Sequence, residues 1–198
     1  MHDAAAPGIV IERPGPGSHR TTIVVDGRPI DTLADMPPER GRLLFVGLNP
    51  SPVSVEAGHY FQGRLGRAFW GRLMVAQILP ADTSIDTADD ALAAAGHGLT
   101  DLHKIPSARD DASDSTLRAG VGPLWQKVAI WRPAAVVFVW KRVAEAVAAR
   151  PVPEPWGQLA GVALSGRPCF LMPGPYAPRE QVDLALTFIR NLGASLPR

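Results

Sequence analysis

Apolar residues along this chain follow two patterns. Unbroken apolar runs appear at Leu43-Leu44-Phe45-Val46 and again over 134–140, with the length and composition of strands buried on both faces. Elsewhere apolar residues return at helical spacing. Leu65, Phe69, Leu73 and Met74 predict a helix over about 64–79, broken by Pro80 and Asp82. Leu117, Val121, Leu124, Val128 and Trp131 predict another, capped by Ser113 or Ser115 and stopped before Pro133. A short helix over 88–95 follows Thr87 and ends at Gly96, a further one spans 141–149, and Val182, Leu184, Leu186, Phe188, Ile189 and Leu192 mark the last. Gly98 to His103 reads as a short strand or extended segment. Residues 161–165 and 168–172 flank Gly166 as a hairpin or two short strands.

Strands alternating with helices predict a mostly parallel sheet with helices on both faces, as one α/β domain over 41–198. Residues 1–40 form an N-terminal arm. Its first 20 residues are rich in Ala, Pro and Gly and are expected to fray. Ile9-Val10-Ile11 can pair with Thr21 to Val25 as a small hairpin, Asp26-Gly27 offers a further turn, and 28–41 reads as loop. The loops that begin at Asn49, Asp101 and Pro173 all follow strand ends. A parallel sheet collects such loops at one edge, where they can share a cleft.

Bulk composition narrows the chemistry. With 198 residues, 46% hydrophobic and 20% charged, the chain has enough apolar surface for a real core. A net charge of +1 means that any nucleic-acid contact uses a local patch. Cys169 is the single cysteine and sits in an apolar run, which reads as a buried inert thiol and excludes an internal disulfide. The start shows no signal-peptide pattern, and the run ending at Trp140 is too short to cross a bilayer, so a cytoplasmic setting without membrane contact is expected. There is no G-x-x-x-x-G-K-[ST] loop, no G-x-G-x-x-G after the first strand, no G-x-S-x-G elbow and no H-E-x-x-H pair. Neither a metal nor a cofactor is expected.

What remains is an amide at a strand end, a nearby aromatic loop and a separate Pro-Gly loop. Gly47-Leu48-Asn49-Pro50-Ser51, Gly58-His59-Tyr60-Phe61, Phe69-Trp70 and Gly98-Leu99-Thr100-Asp101-Leu102 resemble, in order and spacing, motifs of the mismatch-specific uracil-DNA glycosylase and thymine-DNA glycosylase family. Pro106-Ser107-Ala108-Arg109, Leu117-Arg118-Ala119-Gly120 and Leu171-Met172-Pro173-Gly174 continue the resemblance, which runs from about Gly41 to the C-terminus.

The resemblance implies a three-layer α/β/α sandwich. It also implies a monomeric, monofunctional DNA glycosylase that flips uracil, or the mismatched base of a U·G or T·G pair, out of double-stranded DNA and hydrolyses its N-glycosidic bond. Asn49 would hold the attacking water, and Phe61, twelve positions on, would stack on the base. Gly47, Leu48, Ser51, His59 and Tyr60 would complete the base site, His59 as a loop hydrogen-bonder rather than a catalyst. Backbone N–H groups at Leu48, Ser51 and Val53 would face the base carbonyls. Tyr176, Ala177, Pro178 and Arg179 form the loop expected to meet the duplex, with Arg179 the leading candidate for insertion or phosphate contact. Many uracil-removing relatives carry a histidine in that loop; this chain has Gly174.

Asp101 stands where the family often has a non-acidic residue. A carboxylate there would activate water or stabilise a cationic sugar better than an amide, so Asn49 and Asp101 are taken together as the catalytic pair. Two other readings stay open on sequence alone: a non-catalytic nucleic-acid-binding module, and a small-molecule α/β enzyme such as a free-nucleoside hydrolase. Taken singly, Asn-Pro is also a turn signal, Asp101 can cap a loop, and Phe61 and Tyr60 can be core.

Overall fold

Alternation within each buried strand decides which side of the sheet receives which helices. The computed structural model describes residues 17–108, 112–153 and 155–194. Its elements are β1 (Arg20–Val25), β2 (Arg28–Leu33), β3 (Leu43–Gly47), α1 (Pro52–Ala57), α2 (Arg64–Val75), α3 (Ala88–Ala94), β4 (Gly98–Asp101), α4 (Asp114–Trp131), β5 (Ala135–Phe138), α5 (Lys141–Ala148), β6 (Gly157–Leu164), β7 (Arg167–Leu171) and α6 (Arg179–Ala194). A short 3-10 turn, Ile85–Thr87, leads into α3.

The central sheet has the order β4-β3-β5-β7-β6. β3 pairs in parallel with β4 and β5, β5 pairs in parallel with β7, and only the β6 edge is antiparallel. Leu43 and Phe45 of β3, with Ala135 and Val137 of β5, face one core with Phe69, Trp70, Leu73, Leu92, Leu186 and Ile189 of α2, α3 and α6. Leu44, Val46, Val136 and Phe138 face the opposite core with Leu117, Leu124, Val128 and Val143 of α4 and α5. Period-two alternation in strands buried on both sides is what a three-layer α/β/α sandwich requires. Cys169 is buried in the second core, and burial pushes its thiol up to about 12. Among the described residues no helix is long and apolar enough to cross a membrane.

Three expectations are corrected. The stretch 28–41 is not all loop: Arg28–Leu33 is a strand that pairs with β1 across Asp26-Gly27. Asp26 and Gly27 both have positive φ, +49° and +73°, as the tight hairpin turn needs. Pro29 is tolerated in this strand because the two-stranded sheet has free edges. Ile9 to Ile11, the other proposed partner, lies outside the described residues. Beyond the hairpin, Leu33 and Met36 enter the first core, and Met36 exchanges backbone hydrogen bonds with Leu99 of β4. The second correction is α1, which stands where only turn and loop were expected. Its signals were present: Ser51 caps Ser54 N–H at 3.2 Å, Pro52 opens the helix and Gly58 closes it. The helix over 64–79 ends early, at Val75, although Ile78 and Leu79 still reach the core.

Candidate active site

The parallel strands end together, and their backbones lock the following loops side by side. Leu102 N–H donates to Gly47 O at 3.0 Å, His103 N–H to Leu48 O at 2.9 Å, and Ser107 N–H to Pro50 O at 3.1 Å. The segment after β4 therefore runs along the segment after β3. Val139 N–H to Val46 O at 3.0 Å and Met172 N–H to Phe138 O at 2.9 Å align the ends of β5 and β7 in the same way. At this carboxyl edge opens a cavity of about 580 Å³, lined by Asn49, Ser51, Tyr60, Phe61, Asp101 and Ser107, with Trp140, Gly174 and Pro175 on the far side. That volume lies in the range of small-molecule pockets.

Asn49 is held by its amide nitrogen, which donates to Pro50 O at 3.1 Å and to Ser107 Oγ and O at 3.3 and 3.5 Å. Its Oδ1 has no hydrogen bond among the described residues, so the acceptor remains available to a water. Asp101 is only 2% exposed, and neither of its carboxylate oxygens has a hydrogen-bond partner among the described residues. A buried carboxylate without donors carries its full desolvation penalty. Burial accordingly pushes Asp101 up to about 6; Lys104 pulls it down, Asp35 pushes it up and Lys127 pulls it down. At neutral pH it is mainly a carboxylate, though a poorly solvated and basic one.

A charged network supports this acid from behind. Asp35 binds Lys104 at 2.9 Å and Lys127 at 2.6 Å, and accepts from Thr100 Oγ1 at 2.6 Å. Burial works to raise the Asp35 carboxyl, but the two ammonium groups outweigh it and hold it well below the usual carboxylate range. Lys104 also donates to Tyr60 Oη at 3.2 Å, and Tyr60 donates to Ala34 O at 2.9 Å. Burial works against the Lys104 charge, yet Asp35 keeps that amine firmly protonated.

The aromatic wall is equally constrained. Phe61 has φ +56°, a left-handed conformation costly for an aromatic residue, and it persists because the surroundings fix it. The Phe61 ring packs on Phe69 at 4.8 Å and Trp70 at 5.8 Å between centroids. Trp70 Nε1 and Gln62 Nε2 both donate to Tyr60 O, at 3.1 and 3.2 Å. Gly66 lets the first turn of α2 lie directly on the Phe61 backbone, where an added Cβ would stand 2.5 Å from Phe61 O.

The structure thus brings Asn49, Asp101, Leu48, Ser51, Tyr60 and Phe61 to one cavity, with Gly47 immediately beneath. His59 does not line it; its Nδ1 meets Asp89 Oδ1 at 2.8 Å. Tyr176, Ala177, Pro178 and Arg179 lie beyond the lining residues Gly174 and Pro175, on a loop where Tyr176 is 79% exposed. Arg179 opens α6 and reaches Asp183 at 3.7 Å. Arg109 lies outside the described residues. Sequence reading missed the segment after β5, where Trp140 and the first residues of α5, Lys141 and Arg142, line the cavity. Its place followed from the strand-end rule already applied to β3, β4 and β7. Arg72 was also missed as an anchor: it donates to Pro173 O at 2.8 Å and Gly174 O at 3.2 Å, holding the loop after β7.

The sandwich thus gathers an amide, a buried carboxylate and an aromatic ring in one cavity at the carboxyl edge of its sheet. Residues 34–179 match the Uracil DNA glycosylase superfamily, and the chain belongs to it. It is accordingly a DNA glycosylase, with DNA as its substrate. Every lining residue of the cavity except Leu33 falls within the matched stretch, while β1 and β2 fall before it. No curated protein matches the chain in sequence.

Proposed function

We propose that this chain is a monofunctional, mismatch-directed uracil-DNA glycosylase that uses Asn49 and Asp101 together to deliver water to the sugar. The observation that carries this reading is the unpartnered, buried Asp101 carboxylate in the same cavity as the Asn49 amide and the Phe61 ring.

The flipped base stacks on Phe61, and the N-glycosidic bond breaks with its electron pair leaving on the base nitrogen. Positive charge develops on the sugar, and the role proposed for the Asp101 carboxylate is to lower the energy of that charge. Asn49 Oδ1 accepts a hydrogen bond from the incoming water and Asp101 takes its proton as the C1′–O bond forms. The products are free base and an abasic site in an unbroken strand. Lys104, the lysine nearest these motifs, is committed to Asp35 and Tyr60, which favours hydrolysis over Schiff-base chemistry.

Around the mouth, Arg64, Lys141 and Arg142 would meet backbone phosphates, and the Tyr176 to Arg179 loop would fill the gap left in the duplex. The enzyme would act as a monomer in the cytoplasm on U·G or T·G mismatches, initiating base excision repair.

Labelled duplexes containing U·G, U·A or T·G, and single-stranded uracil DNA, test the reading when abasic sites are revealed by alkali. Excision from the U·G duplex ahead of U·A is expected. Duplex binding without base release from any of these substrates overturns the uracil assignment.

A further inference from the structure

Away from the base cavity, four ligand-type side chains converge beneath the aromatic loop. His19 comes from the segment before β1, His59 from the loop between α1 and α2, and Asp89 and Asp90 from the first turn of α3. One donor atom from each lies within 4.8 Å of the other three. His19 Nε2 is 2.8 Å from Asp90 Oδ1 and 3.7 Å from Asp89 Oδ2, and His59 Nδ1 is 2.8 Å from Asp89 Oδ1. The two imidazoles meet edge to face, with centroids 5.4 Å apart. We infer that this cluster is a binding site for a divalent transition-metal cation of the zinc class, which fastens the cavity's aromatic wall to α3 and to the N-terminal hairpin. This departs from the expectation of no metal drawn from the sequence, and it does not depend on the substrate proposed above.

Charge is the first argument. Asp89 is fully buried and Asp90 adjoins it, yet among the described residues neither carboxylate pairs with a lysine or arginine. Among the described residues their ionic partners are the two imidazoles. A dication bound by two carboxylates and two neutral imidazoles makes a neutral site, which burial favours. His19 is the more deeply buried of the two imidazoles. It is 1% exposed and its Nδ1 has no hydrogen-bond partner among the described residues, so hydrogen bonding satisfies only one side of this buried ring. Its Nε2 is the nitrogen turned to the two carboxylates, the atom through which it would bind the cation.

The donor set and its support fit as well. Two imidazole nitrogens and two carboxylate oxygens suit tetrahedral zinc, whereas calcium and magnesium prefer oxygen alone. Asp89 is already oriented by Tyr60 N–H at 2.7 Å and Asp90 N–H at 3.1 Å, the outer-shell bonding that metal-binding carboxylates show. Bonds of about 2.0–2.2 Å to zinc put neighbouring donors about 3.4 Å apart. The two 2.8 Å contacts would open slightly and the wider ones close as the bridging protons leave. His59 directly precedes Tyr60 and Phe61, so the cation acts on the aromatic wall through one residue of backbone.

The test uses the untagged full chain, stripped with chelator and titrated with zinc alone. One zinc per chain by calorimetry and elemental analysis is expected, with the melting temperature raised by about 5–10 °C at a hundredfold excess over Kd. His19→Gln and Asp90→Asn should each weaken binding at least tenfold, by about the loss of one ligand. No zinc uptake, or unchanged uptake in both folded variants, overturns the site. Should either variant fail to fold, cobalt(II) added to the parent protein decides: strong visible bands of a tetrahedral nitrogen-oxygen site are expected, and only the weak octahedral spectrum contradicts it.

Discussion

Gly47 and Asp101 are register partners at the carboxyl ends of β3 and β4, and the bare α-carbon of Gly47 makes room for the Asp101 carboxylate. A Cβ at position 47 would collide with Asp101 Oδ1 and stand 3.1 Å from Phe61 Cζ. One glycine thus sets the spacing between the Asp101 carboxylate and the Phe61 ring. Gly47→Ala should displace both groups, lowering single-turnover base excision by about a hundredfold while costing about 1–3 kcal/mol of stability. Rapid-quench assays and thermal melts check the two effects on one preparation.

Asp101 costs the fold stability at neutral pH. Its carboxyl is raised from 3.8 to about 6, so between those values the folded state holds a proton that the unfolded state has lost. Stability therefore falls as pH rises through that window, and the cost is complete above about 6. At neutral pH that cost amounts to about 3 kcal/mol. Asp101→Asn should remove part of it, raising the denaturant midpoint at pH 7 and giving no gain below about pH 4. Urea titrations of both proteins at several pH values make the comparison.

The rate has the opposite dependence on pH. In the proposed mechanism an ionised Asp101 is the working form, so excision should climb through about pH 6 and level off above it. Asp101→Asn should flatten that limb of the single-turnover profile.

Asp35 is the counter-ion on which two buried amines depend. Asp35→Ala would leave Lys104 and Lys127 facing one another without it, and should cost about 3–5 kcal/mol. The same pair gives acid sensitivity of conventional sign: with Asp35 held below its ordinary range, its contribution is present above 3.8 and fades as pH falls further. Equilibrium unfolding of Asp35→Ala at pH 7 measures the first effect.

Arg72 holds the loop after β7 by two carbonyls and lines neither Asn49 nor Asp101. Arg72→Ala should slow excision from duplex DNA about tenfold while changing single-stranded uracil excision little, since only duplex needs a preset wedge. Paired assays on the two substrates separate this positioning effect from a general loss of fold.

Much of the sheet was legible because β3 and β5 are buried on both faces and carry no competing pattern. The convergence of Asn49, Asp101 and Pro173 followed from parallel topology alone. What escaped depended on tertiary context. β2 contains a proline that only an open-edged hairpin permits, and α1 is six residues long, too short for helical periodicity to show. His59 looked like part of the base site because it adjoins Tyr60 and Phe61. Its partner Asp89 is thirty positions away, and nothing local announces the pairing. The ring of charges around Asp35 was likewise invisible, since Asp35, Lys104 and Lys127 meet only when β4 packs between α4 and the segment after β2.

Single-turnover excision of uracil from a U·G duplex at pH 7.5, by the parent protein and by Asp101→Asn and Asn49→Ala, tests the central claim most directly. The account predicts an abasic product from the parent and a loss of about 10²–10⁴-fold in each variant, with duplex affinity retained. Parent-like excision by Asp101→Asn would contradict it and return the water-handling role to Asn49 alone.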